Sequence, residues 1–204
     1  MNLEEIKKYK GLIFDLDGTL TDSMPFHAKA WRQVANEHGF DIDESQIYAM
    51  GGASSYDIAN FYKDKGNPVG DVNSFVKRKI EIYTANIDKV ELFNHIATIL
   101  KNAKSRGQKI AIGTGTRISN ATYILKAKGL DTYIDALVTA DDVKEHKPDP
   151  ATFLEAAKRL NLAPQECVIF EDGQLGIEAA RNGSFDCIEV NNDRIVHYHQ
   201  IKRD

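Results

Sequence analysis

Gly11-Leu12-Ile13-Phe14-Asp15-Leu16-Asp17-Gly18-Thr19 decides how the rest of this chain is read. Four small or apolar residues run into an acid, a leucine, a second acid and a glycine. A short apolar run bounded by turn residues is the mark of a buried strand opening into a loop. The pattern recurs four times downstream. Residues 109–112 lead into Gly113-Thr114-Gly115, 136–138 into Thr139-Ala140-Asp141, 167–170 into Glu171-Asp172-Gly173, and 187–190 into Asn191-Asn192. Between these runs, apolar residues return at helical spacing. Residues 95–106 carry Ile96, Ile99, Leu100 and Ala103 and stop at Gly107. Residues 119–128 stop at Gly129, residues 150–160 start at a proline, and the short run 176–181 is closed by Gly183. Strands alternating with helices predict an α/β fold, a Rossmann-like three-layer core whose parallel sheet is covered on both faces.

One stretch breaks the alternation. Residues 24–92 show no strand pattern. Phe26, Ala30, Trp31 and Val34 recur at helical spacing, and Gly39 ends that run. Asp43-Glu44-Ser45-Gln46 resembles a capping box with an Asp cap. Gly51-Gly52 stops the helix it opens, and Ser54 or Ser55 can cap the next, with Ile58, Phe61 and Tyr62 as its apolar stripe. A further helix is expected over 72–86. The predicted organisation is a core of residues 1–23 and 93–204, interrupted by an α-helical insert, 24–92, after the first strand.

The bulk numbers fit one domain with a modest insertion. The chain has 204 residues, 42 % hydrophobic and 27 % charged, and a net charge of -4. A mildly acidic chain has no electrostatic reason to seek nucleic acid or an anionic membrane. No window approaches the length of a membrane-spanning helix, and the first ten residues lack the apolar stretch of a signal peptide. A cytoplasmic monomer is the expectation. Cys167 and Cys187 lie in or beside apolar runs and read as buried reduced thiols.

Each polar cluster lies just past an apolar run, and open parallel sheets bind ligands outside the carboxyl ends of their strands. Asp15, Asp17, Thr114, Lys147 and Asp172 would therefore gather at one edge. As alternate residues, Asp15 and Asp17 can face the same site. Two carboxylates that close are held ionised by a divalent cation, or one of them is protonated; an acidic turn with a helix-capping Asp is the plainer alternative. Glu171-Asp172 adds a second acidic pair, which suits either a hard cation such as magnesium or a solvated turn. Gly113 and Gly115 around Thr114 let backbone amides approach an anion, or simply make a turn. They are no dinucleotide fingerprint, because Ile118 stands where the third glycine belongs. Lys147 is pushed out of helical geometry by Pro148 and can meet a phosphate as a point charge, unless it is an ordinary surface lysine. His197-Tyr198-His199 reads as a solvated tail, Lys77-Arg78-Lys79 as a wet helix face, Trp31 as core, and Asp141, Asp142 and Asp149 as turn and cap residues.

Taken together, these clusters resemble the haloacid dehalogenase superfamily, specifically its β-phosphoglucomutase-like members with a helical cap. Asp15-Leu16-Asp17-Gly18-Thr19 resembles the first motif, Thr114 the second, Lys147 the third and Glu171-Asp172 the fourth, in that order along almost the whole chain. Residues 139–148 and 113–116 look closest to the fructose-1-phosphate and 6-phosphogluconate phosphatases. The resemblance implies that Asp15 attacks phosphorus and that Asp17 is the general acid and base. It implies Mg2+ bound by Asp15, the Asp17 carbonyl and Asp172, with Glu171 supporting. Thr114 and Lys147 would hold the phosphoryl oxygens, and Leu16, Gly115, Thr116, His27 and Lys79 would meet the substrate, a small phosphorylated metabolite. The match departs at Ser55, where the mutase pattern carries an arginine for the far phosphate. That departure favours hydrolysis over the alternative, a β-phosphoglucomutase. A phosphorylated receiver domain combines similar residues, but it lacks a helical insert and places its Asp after an interior strand.

Overall fold

The structure, a computed structural model, describes residues 3–201. Five strands fall where apolar runs predict them: β1 (Gly11–Phe14), β2 (Lys109–Gly113), β3 (Ala136–Val138), β4 (Cys167–Glu171) and β5 (Asp186–Asn191). A sixth, β6 (Arg194–His199), closes the sheet, whose order is β3-β2-β1-β4-β5-β6. The first five are parallel. Phe14 sits level with Ile112 of β2 and Phe170 of β4, so β1 lies between them and forms the middle pair of the sheet with β4.

Side-chain alternation on β1 sorts the core into two layers. Leu12 and Phe14 face one side, where they join Ile96 and Leu100 of α5 (Asn94–Ser105) and Ile124 of α6 (Ile118–Ala127). Ile13 faces the other, with Phe153 and Ala157 of α7 (Ala151–Arg159) and Ile177 and Ala180 of α8 (Gln174–Asn182). A strand buried on both faces has no polar side, which is why β1 reads as a continuous apolar run. Cys167 and Cys187 are buried free thiols in the second layer.

Residues 24–92 form four α-helices and a short 3-10 turn: α1 (Met24–Glu37), α2 (Glu44–Ala49), α3 (Ser55–Asp64) and α4 (Val72–Thr84). Proline in its first turn starts α1. Ser54 caps α3 in a reciprocal box with Asp57. Asp43 caps α2 by accepting from the Ser45 amide, without the reciprocal bond expected from Gln46. α1 packs on α4 through Trp31 and Phe75, whose rings lie 6.0 Å apart. Of the predicted stripe on α3, Ile58 and Tyr62 are buried, whereas Phe61 is 38 % exposed and lies under the Lys65 ammonium.

The sheet departs from the all-parallel expectation at β6, which runs antiparallel to β5. Asn192 and Asp193 both hold positive φ, 45° and 63°, between paired Asn191 and Arg194. Two such residues make the tight hairpin turn whose twist suits antiparallel strands. His197 and His199 therefore lie on an edge strand and not in a solvated tail, and His199 meets Glu189 at 2.8 Å. Among the described residues, no helix is long and apolar enough to cross a membrane.

Candidate active site

The carboxyl ends of β1, β2 and β4 converge on one group of buried polar side chains. Asp15 leaves β1 while its amide still bonds the Phe170 carbonyl of β4 at 2.9 Å. Thr114 leaves β2 in the same way, bonded to the Val138 carbonyl of β3 at 3.0 Å. Glu171 ends β4, and Asp172 follows it. Lys147 comes from the loop after β3, with a cis bond to Pro148.

Lys147 is 3 % exposed and donates to Asp15 Oδ1 and Glu171 Oε1, both at 2.6 Å. Burial works against its ammonium, but Asp15 and Glu171 more than reverse that and keep Lys147 charged. Burial also pushes the Asp15 carboxyl well above its ordinary range, against the pull of Lys147. Asp172 is pushed up to about 7, by burial and then by the charge of Glu171. One oxygen each of Asp15, Glu171 and Asp172 lie within 4.8 Å of one another. Three acids around one lysine are short of positive charge, and their oxygens are the donors a hard divalent cation takes. Both oxygens of Glu171 are already engaged, by Lys147 and by the Gly173 amide at 2.7 Å, so of the three acids Asp15 and Asp172 are the ones with an oxygen to spare for a cation. Thr19 fixes Asp172 by donating to Oδ1 at 2.7 Å. Gly18, at φ +85°, leaves the space that Asp172 fills: a Cβ there would lie 2.1 Å from Asp172 Oδ2.

The Asp17 carboxylate is not part of that group and is bonded to other side chains, which leaves its backbone carbonyl for any part in holding a cation. Its side chain accepts from Ser23 Oγ at 2.7 Å and Thr116 Oγ1 at 2.6 Å, and lies 3.2 Å from His27 Nε2. Burial would raise this carboxyl, but His27, Thr116 and Ser23 hold it below the usual carboxylate range. Lys79 Nζ lies 2.8 Å from the other ring nitrogen of His27. Burial and then the Lys79 charge keep His27 below its ordinary pKa. A neutral imidazole accepting from Lys79 and donating to Asp17 satisfies all three groups.

A cavity of about 60 Å³ lies over this edge, lined by Asp15, Asp17, Thr114, Gly115 and Thr116 from the core and by His27 and Lys79 from the insert. Leu16 is wholly buried and lines none of it, so a substrate-binding role there could fall only to its backbone. The insert's Gly51-Gly52 turn sits on the core at Gly173, where a Cβ would come 2.7 Å from the Gly51 carbonyl oxygen. Asp141, Asp142 and Asp149 are turn residues, accepting from the amides of Ile118, Thr139 and Ala151.

Residues 12–190 match the haloacid dehalogenase-like hydrolases. This chain belongs to that family. The hydrolase is 37 % identical to the fructose-1-phosphate phosphatase YqaB of Escherichia coli, over 90 % of this chain and 97 % of that one. It is 30 % identical to a phosphorylated carbohydrates phosphatase of Thermotoga maritima, over 88 % and 83 %. Its fold matches the β-phosphoglucomutase of Clostridium difficile with a TM-score of 0.81 and 29 % identity, covering 89 % of this chain and 84 % of that one.

Sequence reading gave no site role to four residues that the hydrolase places there. Trp31 lines the cavity, with Lys79 Nζ 5.0 Å from its ring centre. Tyr83 stacks on His27, ring centres 3.9 Å apart. Ser23 bonds Asp17 instead of capping α1, and Thr19 bonds Asp172. The first two had a signal: Trp31 is four residues after His27 on α1, and Tyr83 four after Lys79 on α4, so each shares a helix face with a residue expected at the site. Lys79, read also as part of a wet face, is 4 % exposed, while its neighbour Arg78 pairs with Glu37 at the surface.

Proposed function

We propose that this hydrolase is a Mg2+-dependent phosphatase of small sugar phosphates, such as fructose 1-phosphate or 6-phosphogluconate, with residues 24–92 acting as a cap over the core. The observation that carries this reading is the convergence of Asp15, Lys147, Glu171 and Asp172 within hydrogen-bonding or metal-ligating reach of one another. Asp15 is the nucleophile: one carboxylate oxygen bonds to phosphorus as the ester oxygen leaves. Asp17, which His27, Thr116 and Ser23 hold ionised in the free protein, would take up a proton as the anionic ester binds beside it and pass that proton to the leaving oxygen. It then takes a proton from a water, whose oxygen attacks the phosphorus and releases inorganic phosphate, restoring Asp15. Thr114, which lines the cavity, and Lys147, which is bonded to Asp15, would hold the phosphoryl oxygens. A magnesium ion between Asp15 and Asp172 would supply positive charge for a dianionic ester. Such help is needed, because phosphate monoesters hydrolyse so slowly that accelerations up to ~10²¹-fold are required. Splitting the reaction at an aspartyl-phosphate divides that barrier.

The test is release of inorganic phosphate from a panel of sugar phosphates with magnesium. Asp15→Asn should abolish turnover, and Asp17→Asn should lower kcat by roughly 10²–10⁴-fold, the usual range for a lost general acid. No release from any ester, or undiminished release by Asp15→Asn, would overturn the reading. The structural match to a β-phosphoglucomutase keeps a second reading in view. Conversion of β-glucose 1-phosphate to the 6-phosphate faster than its hydrolysis would favour it, although Ser55 offers no cation for a second phosphate.

A further inference from the structure

Which esters the cavity accepts is written in its charges. Its core side holds the reacting groups. Its other side is built by the insert, where Met24, Trp31, Ile47, Met50 and Ile58 are apolar and the uncharged polar side chains are Ser55 and the His27 imidazole, which faces Asp17. Lys79 is the only ammonium among the described lining residues, and no arginine is among them. That ammonium is already engaged: it lies 2.8 Å from His27 Nδ1 and faces the rings of Trp31 and Tyr83 at 5.0 and 5.5 Å. The start of α3 reaches the cavity at Ser55, but its positive end carries its own counter-charge. The Asp57 carboxylate accepts from Ser54 Oγ at 2.6 Å and from the Ser54 amide at 3.3 Å.

Across the whole site, the carboxylates Asp15, Asp17, Glu171 and Asp172 face two ammonium groups, Lys147 and Lys79. One divalent cation would cancel that deficit and leave nothing over. A single phosphoryl group then has Lys147 and the cation cluster to itself. A second anionic group would enter the apolar half and lose its water, with only the Lys79 ammonium, already balanced by Asp17 and bonded to His27, to meet it, which is unfavourable.

We infer that this cavity selects phosphate monoesters whose leaving group carries no second charge, a polyol or neutral sugar, and rejects sugar bisphosphates and phosphorylated sugar acids. The selectivity presupposes the phosphatase reading, and of its two example substrates it retains fructose 1-phosphate and drops 6-phosphogluconate.

Matched pairs isolate the effect of the second anion: fructose 1-phosphate against fructose 1,6-bisphosphate, and glucose 6-phosphate against 6-phosphogluconate. With magnesium, kcat/KM should favour the singly phosphorylated, otherwise neutral member of each pair at least tenfold. Ser55→Lys should shift the fructose ratio about tenfold toward the bisphosphate. Equal or better hydrolysis of the doubly anionic members by the unmodified protein would overturn the inference, as would a ratio unmoved by Ser55→Lys. Trp31 is the chain's one tryptophan, so its quenching ranks binding of the same four esters independently of turnover. No phosphate from any ester would sink the phosphatase reading alone. Tenfold weaker quenching constants for the doubly anionic members would then still support the selectivity, and equal constants would refute it.

Discussion

Lys79 shows how much a single buried charge can control. Burial brings its pKa down from 10.5 to about 8, so below pH 8 the folded protein holds a desolvated ammonium that the unfolded chain would keep in water. Between pH 8 and 10.5 the folded state gives up its proton first, and the penalty fades. Lys79→Met removes the charge and keeps much of the stem. The variant should therefore be more stable than the parent at neutral pH, by roughly 3 kcal/mol at most. The difference should be constant below pH 8 and close toward zero as pH approaches 10.5. Urea unfolding of both proteins at pH 7 and pH 10 measures it. Equal or lower stability of Lys79→Met at pH 7 would show that His27 and the two aromatic rings already offset the burial. Activity should fall in the variant, because the His27 ring that faces Asp17 loses the donor on its far nitrogen. At this scale the sequence was most informative at its acids: Asp15, Asp17, Glu171 and Asp172 stand at strand ends because an apolar run must stop where charge begins. Ser23 was not legible, since a serine before a helix reads as a cap, and only three-dimensional proximity to Asp17 gives its hydroxyl another partner.

Elements followed the same logic, with one instructive exception. β1 to β5 announce themselves by apolar runs such as Leu12-Ile13-Phe14 and Val168-Ile169-Phe170, because strands buried on both faces have little room for polar side chains. β6 is an edge strand with no fully buried residue, and its sequence, Arg194-Ile195-Val196-His197-Tyr198-His199, mixes charge with apolar residues. The signal lay instead in Asn192-Asp193, two residues that tolerate the left-handed backbone of a tight hairpin. What fastens β6 is a buried network at the amino edge of the sheet, opposite the site. Tyr9 Oη donates to Asp186 Oδ2 at 2.5 Å and lies 2.5 Å from Tyr198 Oη, while the Ile201 amide donates to Asp186 Oδ1 at 2.9 Å. The fastening joins residues 9, 186 and 198, a set that no local pattern connects. Tyr9→Phe deletes a short hydrogen bond to a buried carboxylate and should lower unfolding stability by about 1–3 kcal/mol. Because the network lies at the far edge from Asp15, kcat/KM at 25 °C should stay within twofold of the parent. Chemical denaturation with parallel phosphate-release assays tests both halves. A large loss of activity without loss of stability would mean that the two edges are coupled.

The whole molecule brings together residues separated by most of the chain, and this was the least readable level. Alternation of strands and helices implied a parallel sheet, but nothing local implied that β1 would lie between β2 and β4, which is what sets Asp15 against Asp172. The closeness of the insert to the core was equally hidden, because it depends on the Gly51-Gly52 turn settling against Gly173. A divalent cation between Asp15 and Asp172 would clasp β1 to β4, the two central strands, and its effect on stability follows from the acids it would join. Both carboxyls lie above their ordinary range when no cation is present, Asp172 at about 7. A carboxyl raised in the folded state binds its proton more tightly there than in the unfolded chain, so the metal-free protein should lose stability as pH rises from about 4 toward 7. A cation binds the deprotonated pair and competes with those protons, so its stabilisation should grow over the same interval. At a hundredfold excess over its Kd, a ligand that binds only the folded state adds about 2.7 kcal/mol. For a chain of this size that corresponds to a rise in Tm of roughly 5–10 °C. Thermal unfolding with and without magnesium should show such a rise at pH 7.5 and a much smaller one at pH 5. Asp172→Asn should remove most of it at both. A magnesium shift that is the same at both pH values, or that survives in Asp172→Asn, would place the cation somewhere other than between these two carboxylates.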